Sequence, residues 1–431
     1  MQNLRSTATV FLDSPPSCLE FCPTGPDFFV VGTYLLSEKS VGGGAIVQKK
    51  TGSLQLWKFN TASLQLTQSH YIPLPHAVFD LHFHPREQTL LAVATSAASV
   101  SLYRVEPSST TETPVFQHIW TIPVHEDPFS PVLFLAWAPK QFLHVGSGFA
   151  VTFSDGTTSF FSTDGQLIEG KFEERKFGGR ESSIEVWFVA LATFTRDGTH
   201  TEEGNVAESF LFTGDDFGAL HMLQFPPEEA EGREHISSND DHEERLTPVC
   251  LEYNDKARHH TAGVTAILPL PISIIDGFPV LLTGSYDEFI RVYHATPTGR
   301  VLTETRLEGG VWRLQLLDSQ RRAISPSNSA DADDNMSSHT YLILASCMHA
   351  GTRLLRVTWT RRLGPSSVPI DQGQWDIEIL ARFTEHRSMN YASDVWRGER
   401  LNVNLKGAGS FCVSSSFYDR RLCLWEIKDI D

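Results

Sequence analysis

The stretch Leu281-Leu-Thr-Gly-Ser-Tyr-Asp-Glu-Phe-Ile-Arg-Val-Tyr293 decides the fold. It reads as an apolar strand, small residues, a turn carrying Asp287, and a second strand whose apolar residues alternate and end on an aromatic. Alternation with period two lays one face of a ribbon against a core. The same shape returns at 412–425 (CVSSSFYDRRLCLW) and, more weakly, at 211–223 (LFTGDDFGALHML) and 151–161 (VTFSDGTTSFF). Near the start, VVGTYLL and SLQLWKF carry it across an insertion. No segment has the pattern of a long amphipathic helix, so the chain reads as an all-β array of repeats.

The repeated unit resembles the WD repeat, in which strands B and C of each blade flank a turn with a structural Asp. Trp57 and Trp425 supply the strand-C tryptophan, and neither is followed by Asp. First strands fall near Leu19, Val78, Val132, Ile184, Val264, Val311 and Asp394. That predicts one domain, 1–431, folded as a seven-bladed WD40 β-propeller. Its repeats of roughly 60 residues exceed the usual 40–45, and the excess lies in insertions. These are 37–51, 199–207, 228–246, 321–339 and 360–373, all with the composition of exposed loops. Four fall between strands A and B or C and D, which puts them on the bottom face. Segment 37–51 falls between B and C of blade one and is expected as a flap over the top. The last blade runs out of sequence after strand C, leaving an edge that must be covered. Segment 7–12 (TATVFL) is the expected closing strand.

The chain has 431 residues, 41% of them hydrophobic, and a formal charge of −17. That charge argues against nucleic-acid and anionic-membrane partners, which need clustered Lys and Arg. Much of the excess sits in 228–245, a run of solvated carboxylates. The six cysteines are scattered without a CxxC pair, as expected for buried thiols in a reducing compartment. Neither a secretory apolar segment nor an 18-residue apolar run occurs. A soluble, cytoplasmic monomer without metal or cofactor is expected; the dispersed histidines, His82-x-His84 included, do not suggest a metal site.

No G-x-S-x-G elbow, HExxH helix or phosphate loop occurs. Several strings go beyond what a WD repeat requires: Glu185-Val-Trp187, Gly214-Asp-Asp216, His260-Thr-Ala-Gly-Val264, Gly284-Ser-Tyr-Asp-Glu288, Gly309-Gly-Val-Trp-Arg313, Cys347-Met-His-Ala-Gly351 and Ser416-Phe-Tyr-Asp419. With Leu19-Glu-Phe-Cys-Pro23 and Gly32-Thr-Tyr34, they closely resemble the diphthine methylesterase family, WD-repeat enzymes of diphthamide biosynthesis. The resemblance implies hydrolysis of a methyl ester on the modified histidine of translation elongation factor 2, giving diphthine and methanol. A non-catalytic WD adaptor that binds a protein partner through its top face is the alternative.

His260 with Asp287 and Thr283 or Ser285, and His386 with Asp419 and Trp425, read as structural WD sets. Asp216 reads as a further turn aspartate. His349 stands where the repeat would place Asp, and it is the candidate general base on water. Ser415 or Ser416 as covalent nucleophile is the alternative, and Gly309-Gly310 amides are candidate oxyanion donors. The implied substrate carries a trimethylammonium group, which has no N–H to donate and favours aromatic faces with nearby carboxylates. The expected cage draws on Trp187, Trp312, Tyr34, Tyr286, Tyr391 and Tyr418, with Glu185 and Asp394 as the catalytic-site carboxylates that supply countercharge.

Overall fold

In a computed structural model the Leu281–Tyr293 stretch forms strands B (Val280–Ser285) and C (Phe289–His294) of one blade. Asp287 closes their turn by accepting from the Phe289 N–H at 3.1 Å. The structure describes all residues except 42–44, 109–110, 141, 145, 179–183, 196–206, 226–249, 325–334, 364–372, 399–409 and 428–431.

Seven antiparallel sheets follow in chain order, each built outward from an inner strand A. The A strands are Pro16–Phe21, Val78–Phe83, Val132–Trp137, Val186–Thr195, Val264–Pro269, Arg313–Ile324 and Ser393–Val395. The seven-bladed all-β propeller expected from the repeat is the fold. Its closing strand is Ser6–Phe11, which pairs antiparallel with Arg421–Ile427 as the outermost strand of blade seven. Just before it, Gln2–Leu4 adds in parallel to the outer edge of blade six.

Apolar side chains fill the seams between blades. Side chains alternate between the two faces of a strand, and here both faces of each sheet are covered by a neighbour. Cys18, Val30 and Leu56 of blade one pack with Val78, Leu81 and Val93 of blade two. The seam between last and first is filled in the same way, by Leu19, Phe29 and Trp57 against Val413, Leu422 and Leu424.

Two insertions are shorter than expected. Residues 321–324 and 335–339 extend strands A and B of blade six, and 360–363 extends its strand C. Long strands continue there because alternating side chains keep pairing, as in Arg321 opposite His339. Segment 228–246 lies outside the described residues. Segment 37–51 is a β-hairpin, Leu35 pairing with Thr51 and Val41 with Ala45. No helix among the described residues is long and apolar enough to cross a membrane.

The WD histidines are structural. His260 Nε2 meets Thr283 Oγ1 at 2.9 Å, and His386 Nε2 meets Ser414 Oγ at 2.7 Å, where Trp425 Nε1 also donates at 2.9 Å. Burial lowers the His260 pKa to about 3 and that of His386 to about 4. Their unfolded values stand near 6.5, so the unfolded chain takes up protons first. Stability is full above pH 6.5 and declines as pH falls toward the folded values, by up to about 1.4 kcal/mol per pH unit for each histidine. Urea unfolding at pH 7, 6 and 5 should register this loss, with a shallower slope for His386→Asn. A stability that stays level from pH 7 to 5 would count against it.

Candidate functional site

The A strands of blades one to five share an irregularity. Each slips register by one residue against strand B at its second position, leaving Ser17, Phe79, Leu133, Trp187 and Thr265 as the extra residues. A bulge of this kind re-aims a side chain out of the regular alternation. Ser17, Phe79, Leu133 and Trp187 all line one cavity of about 540 Å³ on the face that carries the B–C turns.

That cavity is walled by aromatic rings. Trp187 lies 5.8 Å from Trp312 and 6.0 Å from Tyr286, and Trp312 lies 5.0 Å from Tyr391. Tyr391 touches Phe417 at 5.4 Å, which meets Tyr34 at 6.0 Å and Tyr418 at 5.0 Å. The structure thus brings together the six aromatics singled out in the sequence, Tyr34, Trp187, Tyr286, Trp312, Tyr391 and Tyr418, and all of them line the cavity. Phe417 and Phe79 complete the wall and were not anticipated, although Phe417 lies within one of the distinctive strings. Leu35 and Leu36, at the base of the blade-one hairpin, line it as well. Burial raises the pKa values of Tyr34, Tyr286 and Tyr391, so their phenols remain neutral donors.

Asp216 has a different part from the one expected. The turn aspartate of blade four is Asp215, whose Oδ1 accepts from the N–H groups of Phe217 and Ala219 at 3.0 and 2.8 Å. Asp216 instead accepts from the Trp187 indole at 2.7 Å and fixes that ring against the cavity. Glu185 lies two residues before Trp187, its backbone carbonyl accepts from the Asp216 N–H at 2.9 Å, and its charge contributes to the raised pKa of the Tyr286 phenol.

Other expected site residues lie elsewhere. His349 is exposed on the B–C turn of blade six and makes no hydrogen bond among the described residues. In that turn Met348, with φ of 42°, takes the inward place and is buried, which directs His349 out. Asp394 is a fastener. Its Oδ2 accepts from the Phe21 N–H at 2.8 Å and its Oδ1 from Gln315 Nε2 at 2.7 Å, joining blades seven, one and six. Ser415 and Ser416 are fully buried, out of reach of a protein-borne ester. Gly309 is needed for close approach, since a Cβ there would collide with the Cys347 carbonyl oxygen.

A second cavity, of about 220 Å³, lies within the channel, and Tyr391 lines both. Of its charged groups, Asp394 was expected at the site, whereas Glu20, Asp80, His82 and Arg313 were not. His82 Nδ1 lies 3.1 Å from Glu20 Oε2, and its Nε2 lies 3.2 Å from Asp80 Oδ2. Burial opposes protonation of this ring, but the two carboxylates prevail and raise its pKa to about 10. Burial pushes the Glu20 carboxyl up, whereas His82 and Arg313 overcome burial and hold Asp80 below its ordinary value. Arg313 NH2 sits 3.6 Å from Asp80 Oδ1, with its guanidinium carbon 4.6 Å from the Phe134 ring centre and 4.9 Å from that of Trp312. The available signal was the spacing Asp80-x-His82 inside an apolar inner strand. Neither His82 nor His84 pairs for metal binding: His84 Nδ1 accepts from the Glu87 N–H at 2.8 Å in the A–B turn. Among the described residues no group of three or more His, Cys, Asp and Glu is arranged to hold a metal ion.

No protein-family model matches the chain. It is 24% identical over 419 residues to the diphthine methyltransferase of Schizosaccharomyces pombe, covering 97% of both proteins. The similarity runs along almost the whole length of this chain. The human diphthine methyltransferase matches at 30% identity over 99 residues, 23% of this chain and 17% of that protein. Among solved structures, Sqt1 of Saccharomyces cerevisiae superposes with a TM-score of 0.50 at 12% identity, covering 100% of both chains. Sqt1 of Chaetomium thermophilum gives 0.52 at 13% identity, covering 98% of this chain and 100% of that one. At these identities the likeness to Sqt1 speaks for the WD-repeat fold alone.

Proposed function

We propose that this protein acts in diphthamide biosynthesis as an ester hydrolase, removing the methyl ester from methylated diphthine on translation elongation factor 2. The carrying observation is the ring of Trp187, Tyr286, Trp312 and Tyr391 around one cavity. A trimethylammonium group, the cation of this substrate, is held by aromatic faces and needs no acceptor. Glu185 and Asp216 beside the wall supply negative charge. The name of the S. pombe relative points to diphthine and to a methyl group. Phe217 and Tyr418 on B–C turns, Phe129 on a D–A connection and Leu36 on the blade-one hairpin are exposed apolar side chains, which suits a substrate carried on a folded protein. Such a substrate places the enzyme in the cytoplasm.

The test is incubation of the purified chain with elongation factor 2 carrying the methyl-ester form, in water enriched in oxygen-18. Methanol release with the label in the product carboxylate is the expected outcome. Binding without release of methanol would favour the adaptor reading. A requirement for a methyl donor would favour transfer, as the relative's name states, over hydrolysis.

A further inference from the structure

The aromatic mouth also holds Ser17 and Arg420, but the Ser17 hydroxyl donates to the Val78 carbonyl at 2.7 Å and Arg420, a cation, donates to the Asp13 carbonyl at 2.7 Å, so neither is placed as a base toward water. Other polar groups lie one step deeper, in the channel cavity lined by Glu20, Asp80, His82, Arg313, Gln315 and Asp394. Part of this set is mechanical. Glu20 Oε2, Asp80 Oδ2 and Asp394 Oδ2 each accept a backbone N–H from strand A of the next blade, those of Phe83, Leu135 and Phe21. Fastening blades occupies one oxygen of each carboxylate. The second oxygens differ. That of Asp394 is taken by Gln315 and the Val395 N–H, and that of Asp80 faces Arg313. Glu20 Oε1 has no hydrogen-bond partner among the described residues. Arg313 donates to the Trp312 carbonyl at 3.0 Å and turns one NH2 edge toward Asp80 at 3.6 Å, so that among the described residues a part of its five-N–H fork is left for a ligand.

We propose that this chamber is where the ester is cleaved, with Glu20 as general base toward water and Arg313 as the donor to the oxyanion. The assignment rests on the ester-hydrolase reading given above. In the implied substrate one carbon bears both the trimethylammonium and the ester, so the carbonyl carbon stands only about 2.5 Å from the cationic nitrogen. A cation in the aromatic mouth therefore presents its ester to whatever adjoins the mouth. Tyr391 lines both cavities, and Arg313 follows directly on Trp312. Water gives a proton to Glu20 as its oxygen bonds to the carbonyl carbon, and Arg313 receives the resulting oxyanion. Collapse breaks the bond to the methoxy oxygen, which leaves as methanol with the proton from Glu20. The acid so formed loses its proton to solvent and remains as a carboxylate opposite Arg313. His82, an imidazolium between Glu20 and Asp80, is a positioning residue that holds the Glu20 carboxylate in place.

The experiment compares wild type, Glu20→Gln and Arg313→Lys in single-turnover methanol release and, separately, in affinity for the methyl-ester elongation factor. Each variant is expected to lose on the order of 100-fold in rate. Glu20→Gln should bind within about twofold of wild type, because the aromatic mouth is untouched. A Glu20→Gln protein that binds and retains more than about a tenth of the rate overturns the assignment. Should that variant fail to fold, the wild-type pH profile decides. Glu20 faces His82 and Asp80 from blade two, Asp394 from blade seven, Arg313 from blade six, and Cys18 and Cys22 on its own strand. Burial among them raises its pKa, so the rate should fall on acidification at a pH above the ordinary carboxylate range. A limb within or below that range, or none, overturns the proposal. The two readings fail differently. A wild-type chain that binds substrate but releases no methanol sinks the hydrolase reading, whereas an active Glu20→Gln sinks only the chamber.

Discussion

Deleting residues 1–12 is expected to abolish cooperative unfolding of the propeller. Ser6–Phe11 supplies the outer strand of blade seven, with Thr9 opposite Cys423 and Val10 opposite Leu422. Leu12 is buried in the seam between blades seven and one, where Ala8 and Val10 pack against the same cluster. The Ser6 backbone and hydroxyl both bond Glu385 Oε2. Two aliphatic side chains at about 1.5–3 kcal/mol each, with a strand's worth of backbone pairing, come to about 5 kcal/mol or more. That is comparable with the whole stability of an ordinary domain. The uncovered edge of Arg421–Ile427 should also recruit other chains. Urea unfolding and size-exclusion chromatography of the truncated chain would register both effects. A truncated chain that stays monomeric and melts within a few degrees of the full one would refute this account.

Trp312→Ala should weaken binding of the methyl-ester elongation factor by about 30-fold or more, since a desolvated cation over an aromatic ring is worth about 2 kcal/mol. Trp312 lines the mouth and touches Trp187, Tyr286 and Tyr391 at 5.8, 6.0 and 5.0 Å. Its loss removes one ring from the cation and parts Tyr391 from the Trp187–Tyr286 pair. Tetramethylammonium should compete with substrate on the wild type and lose that ability on the variant. Unchanged affinity in a folded Trp312→Ala protein would mean that the cavity does not hold the cation. Trp312→Phe, which keeps a face at this place, should recover most of the binding.

Much of this was legible in the residues. Asp287 in its turn, the alternation after it and the unmatched last blade gave the blade count and the closing strand. The six aromatics could be named because each lies at the entry to a strand A or near a B–C turn, where a WD repeat needs no large ring. The failures have physical causes. The turn 347–351 could offer either Met348 or His349 to the inside, and only its left-handed residue settles which. Asp215 and Asp216 are adjacent, and a one-residue difference in turn length exchanges their roles. Asp80 and His82 share one face of a strand, but alternation does not tell whether that face meets a neighbouring blade or the channel. The bulges that turn Ser17 and Phe79 into the mouth are likewise invisible to a strict period of two.

The shared closing blade also imposes an order on synthesis. Thr9 and Cys423 are neighbours in the folded blade yet lie 414 residues apart in the chain. At about 5–20 residues per second, a ribosome takes about 20–80 s to make the partner after the closing strand has emerged. For that interval the strand has no mate, and blade one, completed first, has a bare flank where Phe29 and Trp57 should meet blade seven. The early blades can pack on one another as they appear, but the ring must remain an open arc until Arg421–Ile427 has been made. A nascent chain of this protein is therefore a natural client for a chaperone that shields an apolar flank.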